Sequence, residues 1–418
     1  MFYNQSAFRA HHSTETALIR IMNDQLVAVD ESDAFILARF DQSAAFDTID
    51  HLVLLERLKV RFGVDGAALR WFESYLSDRR QSVSVSGVCS EPVYLRFGVP
   101  QDSVLGPILY ILYNSPLYGI ALLYDIMSHF YADDTQFYKR FKLAVDGAAQ
   151  REAFSVLSSC VGASKDWMTA NKQKLNDGKT DVLLVHSKTS SLKPVNLPLL
   201  VGLVAVNPST TVKNLGVLFD QHLTMVEQIG ATCKKAFYHL HRISRIKKHL
   251  SSSAVSQLVH AFVTSTLDYN NSLLFGLPDT QISRLQRVQN CAARLVVGST
   301  RYESITPHLR RLHWLPIRKR IDFKVATLTF RCLQETAPSY LTELVTRYRP
   351  ARSLRSTDSR SLDLVVPLAN TVRYGDRAFQ NAAPRLWNSL PPSVKSSSSL
   401  SQFRSRLKTE LFKNAFNV

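Results

Sequence analysis

The sequence predicts an α+β fold over its first half, followed by a basic and mostly helical second half. Three observations carry this. Short apolar runs alternate with amphipathic stretches through the first 220 or so residues, as in the pair AFILARF and HLVLLERLKVRF. Beyond about residue 225 the pattern turns to long basic helices, beginning with CKKAFYHLHRISRIKKHL. Charge divides the same way: residues 1–185 carry 18 Lys+Arg against 22 Asp+Glu, and residues 186–418 carry 33 against 12. A basic half suits a phosphate-backbone partner.

The elements follow in order. His12 to Ala28 reads as a helix, with Ser13 or Thr14 as its cap and an apolar stripe at Ala17, Leu18, Ile21 and Met22. Ala34–Phe40 is a buried strand that ends at Asp41. His51–Phe62 and Ala67–Leu76 are helices separated by Gly63 and Gly66. QSVSVSGV, Gln81–Val88, alternates like an exposed strand, with Val93–Phe97 as its partner. Val104–Tyr113 is a buried helix that tolerates Pro107 in its first turn. HFYADDTQFY reads as a hairpin presenting Asp133 and Asp134 at its turn. Val145–Asn171 is a long helix, Thr180–His186 a strand, and Val212–Phe219 a further strand with a short hairpin at its end. The Ser-rich stretches RSLRSTDSRS and VKSSSSLSQF read as linkers or loosely ordered surface.

Composition excludes several classes. At 45% hydrophobic and 20% charged residues, the chain is globular, with length for two or three domains. Its five cysteines are scattered, without a C-x-x-C pair, which argues against a zinc knuckle and for a reducing compartment. The first residues lack a signal-peptide core. The longest apolar stretch, Val104–Met127, is broken by Pro107, Asn114, Pro116 and Gly119, so it reads as core and not as a membrane span. His11 and His12 lack further spaced ligands and read as cap or surface; Trp167, Trp314 and Trp387 read as core.

The chemistry lies in the acids. Asp41, Asp133 and Asp134 fall at the ends of strands expected to be neighbours, and three carboxylates so placed can hold two divalent metals for phosphoryl or nucleotidyl transfer. An Asp-Asp pair by itself is common in turns. The order along the chain adds specificity: an acid, a Gly-Pro-Gln loop with a helix, the double acid, a lysine, then a short hairpin. That order suggests a palm followed by a helical thumb.

These residues resemble the reverse transcriptase of LINE-type, jockey-like non-LTR retrotransposons. AFRAHHSTETAL is similar to the segment before the palm, DQSAAFDTIDH to the first palm motif, GVPQDSVLGPILYILY to the second and FYADDTQFY to the third. LNDGKTDVLLV and LGVLFD resemble the fourth and fifth, and VQNCAARLVVG, HWLPIRKRIDFKVATLTF and AFQNAAPRLWNSLPP the region after the polymerase. The resemblance implies a right-hand palm with partial fingers over residues 1–222, a thumb-like region over 223–300 and a basic region over 301–418.

It also implies roles. Asp41, Asp133 and Asp134 would hold two Mg²⁺ ions, with Mn²⁺ as a substitute, Asp41 and Asp133 being the stronger ligands. Lys179 would sit near the incoming triphosphate. Phe46 would stand against the sugar 2′-hydroxyl, which separates dNTPs from ribonucleotides. Pro100, Gln101 and Asp102 would line base pair and template, and Tyr131 would pack beside the metals. Asp47, Asp50 and His51 would shape the turn and helix start. Partners would be RNA template, DNA primer and dNTPs, in nucleus or cytoplasm and without a membrane. Two departures stand out: Asp102 occupies a position the family fills with Gly, and the chain starts after the family's first finger strands and endonuclease, like an N-terminally truncated copy. The alternative reading is a catalytically inactive nucleic-acid-binding remnant.

Overall fold

The computed structural model describes residues 3–349 and 362–417. The fragment RSLRSTDSRS lies outside them. By packing, the chain forms two compact units: Met1–Ala10 with Phe35–Leu184 and Leu192–Ser209, and His11–Ala34 with Val185–Ser191 and Thr210–Val418.

The first unit is built on a four-stranded sheet in the order Asp181–Val185, Asp33–Phe40, Asp134–Lys142, Met127–Tyr131. Ala34–Ala38 are at most 1% exposed. A strand flanked on both edges and covered on both faces must be apolar throughout, which is why this run does not alternate. Arg39, half-buried, is its one charged member after Asp33. The helix Ala148–Ala170 packs on Asp134–Lys142 through Phe154 against Phe141. It starts three residues later than the sequence suggests, after Gly147 in the left-handed region.

The apolar stretch is two helices, Gly106–Tyr113 and Pro116–Leu123. Its window Gly106–Leu123 is apolar enough to cross a membrane by composition, yet half of it is buried in the protein. Leu109, Tyr110, Ile111 and Tyr113 form one core with Leu54, Leu58 and Leu76. The break falls at buried Asn114, whose amide returns to the Tyr110 carbonyl at 3.1 Å.

Two strand expectations need correction. Gln81–Val88 is not one strand: Ser84–Val85 folds back on Val88–Cys89 across Ser86 (φ 52°) and Gly87 (φ 83°), while Arg80–Gln81 pairs with Val93–Tyr94. Positive φ at both turn residues gives the tight turn whose twist suits a hairpin. The Val/Ser alternation concealed it. Val212–Phe219 likewise splits into Thr211–Asn214 and Val217–Asp220 around Leu215–Gly216, at φ 42° and 82°.

In the second unit the helix Thr14–Asp30 begins with a reciprocal cap between Ser13 and Thr16. Its stripe of Ala17, Leu18, Ile21, Met22 and Leu26 packs on Asn271–Leu274, Gly375–Arg377 and Phe379–Asn388. At its end the Asp30 carboxylate accepts hydrogen bonds from the Asn370 N–H (2.8 Å), the Thr371 N–H and hydroxyl (both 2.7 Å) and the Gly375 N–H (3.1 Å). The packing units therefore do not divide at residues 222 and 300, because this early helix finds its partners late in the chain.

Helices Val226–Ile246 and Asp279–Val297 pack on each other. Ile317–Leu333, Phe379–Asn388 and Leu400–Phe416 enclose a core in which Phe403 stacks on Phe330 (4.4 Å) and Trp387 (5.7 Å). VKSSSSLSQF, expected as a linker, is ordered: Ser399 accepts from the Gln402 N–H at 3.2 Å to cap Leu400–Phe416, and Val394 and Phe403 are buried. Serine there is capping chemistry. Trp314 and Trp387 are buried, whereas Trp167 is only half-buried beneath the Arg57 guanidinium.

Candidate active site

Asp41, Asp133 and Asp134 converge at one end of the four-stranded sheet. Asp41 follows directly on the central strand. In the neighbouring hairpin Tyr131 pairs with Asp134, leaving Ala132 and Asp133 as the two turn residues. Ala132 takes φ 55°, and this tight turn puts Asp133 at the tip. Asp134 opens the return strand beside Arg39, whose Nη1 donates to Asp134 Oδ1 at 2.9 Å. The other side of the same guanidinium reaches Asp181 Oδ2 at 2.8 Å. Arg39 thus ties the central strand to both its neighbours.

Lys179 reaches the site through a local path. Gln42 and Ser43 pair antiparallel with Leu175 and Lys174, and the Asn176 N–H donates to the Asp41 carbonyl at 2.9 Å. The short turn Asp177–Lys179 then returns the lysine, whose Nζ lies 2.8 Å from Asp41 Oδ2. The ammonium is largely exposed and the carboxylate largely covered, at 65% and 17% side-chain exposure.

Titration directions report the crowding. Burial, then the charge of Asp41, pushes the Asp133 carboxyl above its ordinary range. Burial also raises Asp134, helped by Asp133 and Asp41 and opposed by Arg39. Burial alone would lower Arg39, but hydrogen bonds and charge from Asp181 and Asp134 hold it above its ordinary value. The hydrogen bond and charge of Asp41 raise Lys179. Tyr110 is fully buried and donates its hydroxyl to Gln42 Oε1 at 2.7 Å. Burial and the charges of Asp133, Asp41 and Asp134 push that phenol well up, so the tyrosine forms the neutral floor of the acid cluster.

The remaining residues form the rim. Phe46 is half-buried, with its ring 4.9 Å from that of Tyr110. Gln101 Nε2 donates to both oxygens of Asp47, at 2.9 and 3.2 Å. Pro100 accepts from the Ser103 hydroxyl, which in turn accepts from the Gly106 N–H that starts the next helix. Gly98 (φ 84°) lies against the Asp47 backbone, where a Cβ would approach to 3.0 Å. Its carbonyl accepts from His51 Nε2 at 2.8 Å, and Asp50 caps the N–H groups of Leu52 and Val53. Asp47, Asp50 and His51 therefore act on the local framework, as expected. Tyr131 lies half-buried opposite Asp134. Asp102 is exposed and held at φ 56°. Sequence reasoning gave no role to Arg39, Asp181, Gln42 or Tyr110. A charged residue inside an otherwise buried apolar strand was the available signal for Arg39.

Residues 1–219 match the family described as reverse transcriptase (RNA-dependent DNA polymerase). The chain belongs to the reverse transcriptase family. Among its relatives is the probable RNA-directed DNA polymerase from transposon BS of Drosophila melanogaster, 26% identical over 361 residues, which are 84% of this chain and 38% of that one. The RNA-directed DNA polymerase from mobile element jockey of the same fly is 29% identical over 230 residues, 54% of this chain and 24% of that one. The resemblance to reverse transcriptases of non-LTR retrotransposons is thus borne out. The chain spans about two fifths or less of the length of these relatives. Among solved structures, apo telomerase from Candida tropicalis aligns over 76% of this chain and 51% of its own, at 11% identity and a TM-score of 0.40.

Proposed function

We propose that this reverse transcriptase chain extends a DNA primer on an RNA template by nucleotidyl transfer from dNTPs. The observation that carries the reading is the convergence of Asp41, Asp133 and Asp134 at one sheet end, with the two hairpin carboxyls raised by burial and by neighbouring acids. The donor chemistry suits a hard divalent cation, being all carboxylate oxygen, although among the described residues no three such side chains stand close enough together to enclose one; a cation there would draw the acids inward and relieve their mutual repulsion. Asp41 and Asp133 would hold it foremost: Asp134 is held by the half-buried Arg39, whereas the cation on Asp41, Lys179, is largely exposed and can swing away. A divalent ion held there would supply acidification of an attacking hydroxyl and charge neutralisation at the leaving pyrophosphate.

The protein's own groups do the rest. Arg39 fixes Asp134 and Asp181, and so keeps three strand ends in register. Lys179, resting on Asp41, supplies a mobile cation for the triphosphate. Tyr110 supports Phe46 from behind, holding its ring where it faces the sugar. Pro100, Gln101 and Tyr131 border the template and base pair. In these terms residues 1–222 act as palm and partial fingers, 223–300 as a thumb, and 301–418 as an accessory basic region.

The test is extension of a DNA primer on an RNA template with Mg²⁺ and dNTPs. Product that depends on metal and template supports the reading; bound template without product supports the inactive remnant. Phe46→Ala is expected to raise ribonucleotide use relative to dNTP use by roughly tenfold or more, the scale of removing a steric block from a pocket. The ratio of the two kcat/KM values measures this independently of the active fraction. An unaltered ratio removes Phe46 from sugar selection.

Asp102 is the observation that favours the remnant. Its left-handed φ suits glycine, and its exposed carboxylate adds a negative charge next to Gln101, which this reading sets against the template. Asp102→Gly is expected to raise extension by on the order of tenfold. Stability should change by less than about 1 kcal/mol, because relieved strain offsets glycine's larger chain entropy. Unaltered extension would show that the aspartate does not hinder the template.

A further inference from the structure

The region that follows the catalytic unit carries two basic hollows side by side. One, about 540 Å³, is lined by His260, Trp314, Arg320, Lys324, Arg404 and Lys408 among others. The second, about 600 Å³, is lined by Arg310, Arg311, Phe412 and Phe416 with Thr306 and Pro307. His313 lines both. Asp268 is the single acid among the lining residues, and it is held by Arg320 Nε at 2.8 Å. Lys324 is paired with Glu15 at 3.1 Å. Arg310, Arg311, Arg404 and Lys408 are exposed and have no acidic partner among the described residues. Arg404 instead stands near Arg331, and the like charge helps burial to lower the Arg331 guanidinium. A protein that crowds cations without an acid to neutralise them leaves that task to an anionic ligand.

The same hollows are lined by a row of rings. Exposed His313 lies 5.6 Å from Phe412, and Phe412 lies 4.7 Å from half-buried Phe416. Phosphates alone would need only the cations; adjoining accessible rings suit bases that are free to stack. A duplex keeps its bases stacked inside and offers a convex backbone, which a ring-lined hollow does not match.

We propose that this surface, formed by Thr306–Arg311, His313 and the helix Leu400–Phe416, binds a single strand of nucleic acid. Arg310, Arg311, Arg404 and Lys408 meet phosphates, and His313, Phe412 and Phe416 stack on bases. The site shares no residue with the carboxylate cluster and needs no metal, so it stands whether or not the chain extends primers.

The test is binding of a fluorescein-labelled oligouridylate to the full chain by fluorescence anisotropy, in EDTA and across a salt series. Arg404→Glu with Lys408→Glu is expected to weaken binding by roughly tenfold or more and to flatten the slope of log affinity against log salt by roughly 0.7 for each phosphate no longer neutralised. The fold should tolerate it, since a glutamate at position 404 gains a cation in Arg331. Lys59→Glu with Arg61→Glu makes the same change in net charge in the other unit and is expected to leave the affinity within about twofold, as screening by salt allows for charges outside the hollows. Phe416→Ala is expected to weaken binding without altering the salt slope, the mark of weakened stacking. Unaltered affinity and slope in the Arg404/Lys408 variant would overturn the proposal, as would an equal loss in the Lys59/Arg61 variant, which would reduce the effect to net charge. Equal competition by a duplex, or by polyglutamate, would also overturn it in favour of a duplex or an acidic protein partner.

Discussion

Asp133→Asn is expected to abolish metal-dependent nucleotide incorporation while stabilising the metal-free protein. Asn keeps the shape of the side chain but removes the charge that a hard cation needs. The residue sits at the tip of a two-residue turn; Asp41 already serves as the other ligand, and Asp134 is turned to Arg39, so neither takes its place. A fall of roughly 10³-fold or more, about 4 kcal/mol in the barrier, is the expected size. The stability change has the opposite sign. Burial and the charge of Asp41 raise the carboxyl above its ordinary 3.8, so the folded state holds the proton to a higher pH than the unfolded chain does. The unfolded chain then binds fewer protons, and stability falls as pH rises from the unfolded value through the folded one. At neutral pH the ionised group therefore costs stability, and a neutral amide removes that cost. Urea midpoints in EDTA at neutral pH read one half of the prediction and primer extension the other. Activity within tenfold of the parent would remove Asp133 from the metal site, and a lowered midpoint would refute the electrostatic half.

Asp30→Ala carries the largest expected loss of stability. The carboxylate is 7% exposed and accepts from three backbone N–H groups and a hydroxyl on the segment Asn370–Gly375. Removing it leaves three N–H groups without a partner where water has little access, at about 1–3 kcal/mol each before relaxation. A net loss of about 3–5 kcal/mol is expected for the unit that contains it, since some of the donors will find water. Asp30→Asn keeps one acceptor oxygen and should lose less. Denaturation followed through the buried Trp314 and Trp387 measures the difference. A loss below about 1 kcal/mol would mean that the segment is held by other interactions.

The clustering of the three aspartates was legible because the turn and strand that place them are local to the sequence. A two-residue turn places Asp133 without reference to the rest of the chain, and an apolar strand delivers Asp41 wherever the sheet lies. Asp50 was legible as a helix cap for the same reason. What was hidden depends on strand order. Arg39 joins Asp134 to Asp181 only because its strand lies between theirs, and nothing in AFILARF states its neighbours. The Tyr110 hydroxyl beneath the acids belongs to a helix whose apolar pattern marks it simply as core. Ser86–Gly87 was missed as a turn because period-two alternation continued across it, while the short hairpin expected at Leu215–Phe219 turns at Leu215–Gly216 and takes Thr211–Asn214 as its first arm. The position of Asp102 was legible as a departure, but its left-handed backbone was not. The serines before Leu400 read as disorder because composition does not distinguish a cap from a linker.

The helix Thr14–Asp30 sets a schedule for the growing chain. Its first packing partners, Asn271–Leu274, are made some 240 residues after it, and Phe379–Asn388 still later. At roughly 5–20 residues per second, the stripe of Ala17, Leu18, Ile21 and Leu26 spends tens of seconds outside the ribosome before these partners can cover it. During that interval the strands of the first unit, all of which follow the helix in the sequence, are completed, and the helix is a target for holdase chaperones and proteases. A nascent chain halted near residue 222 would carry all three clustered aspartates and a greasy helix without these partners, and its solubility would be limited by the helix.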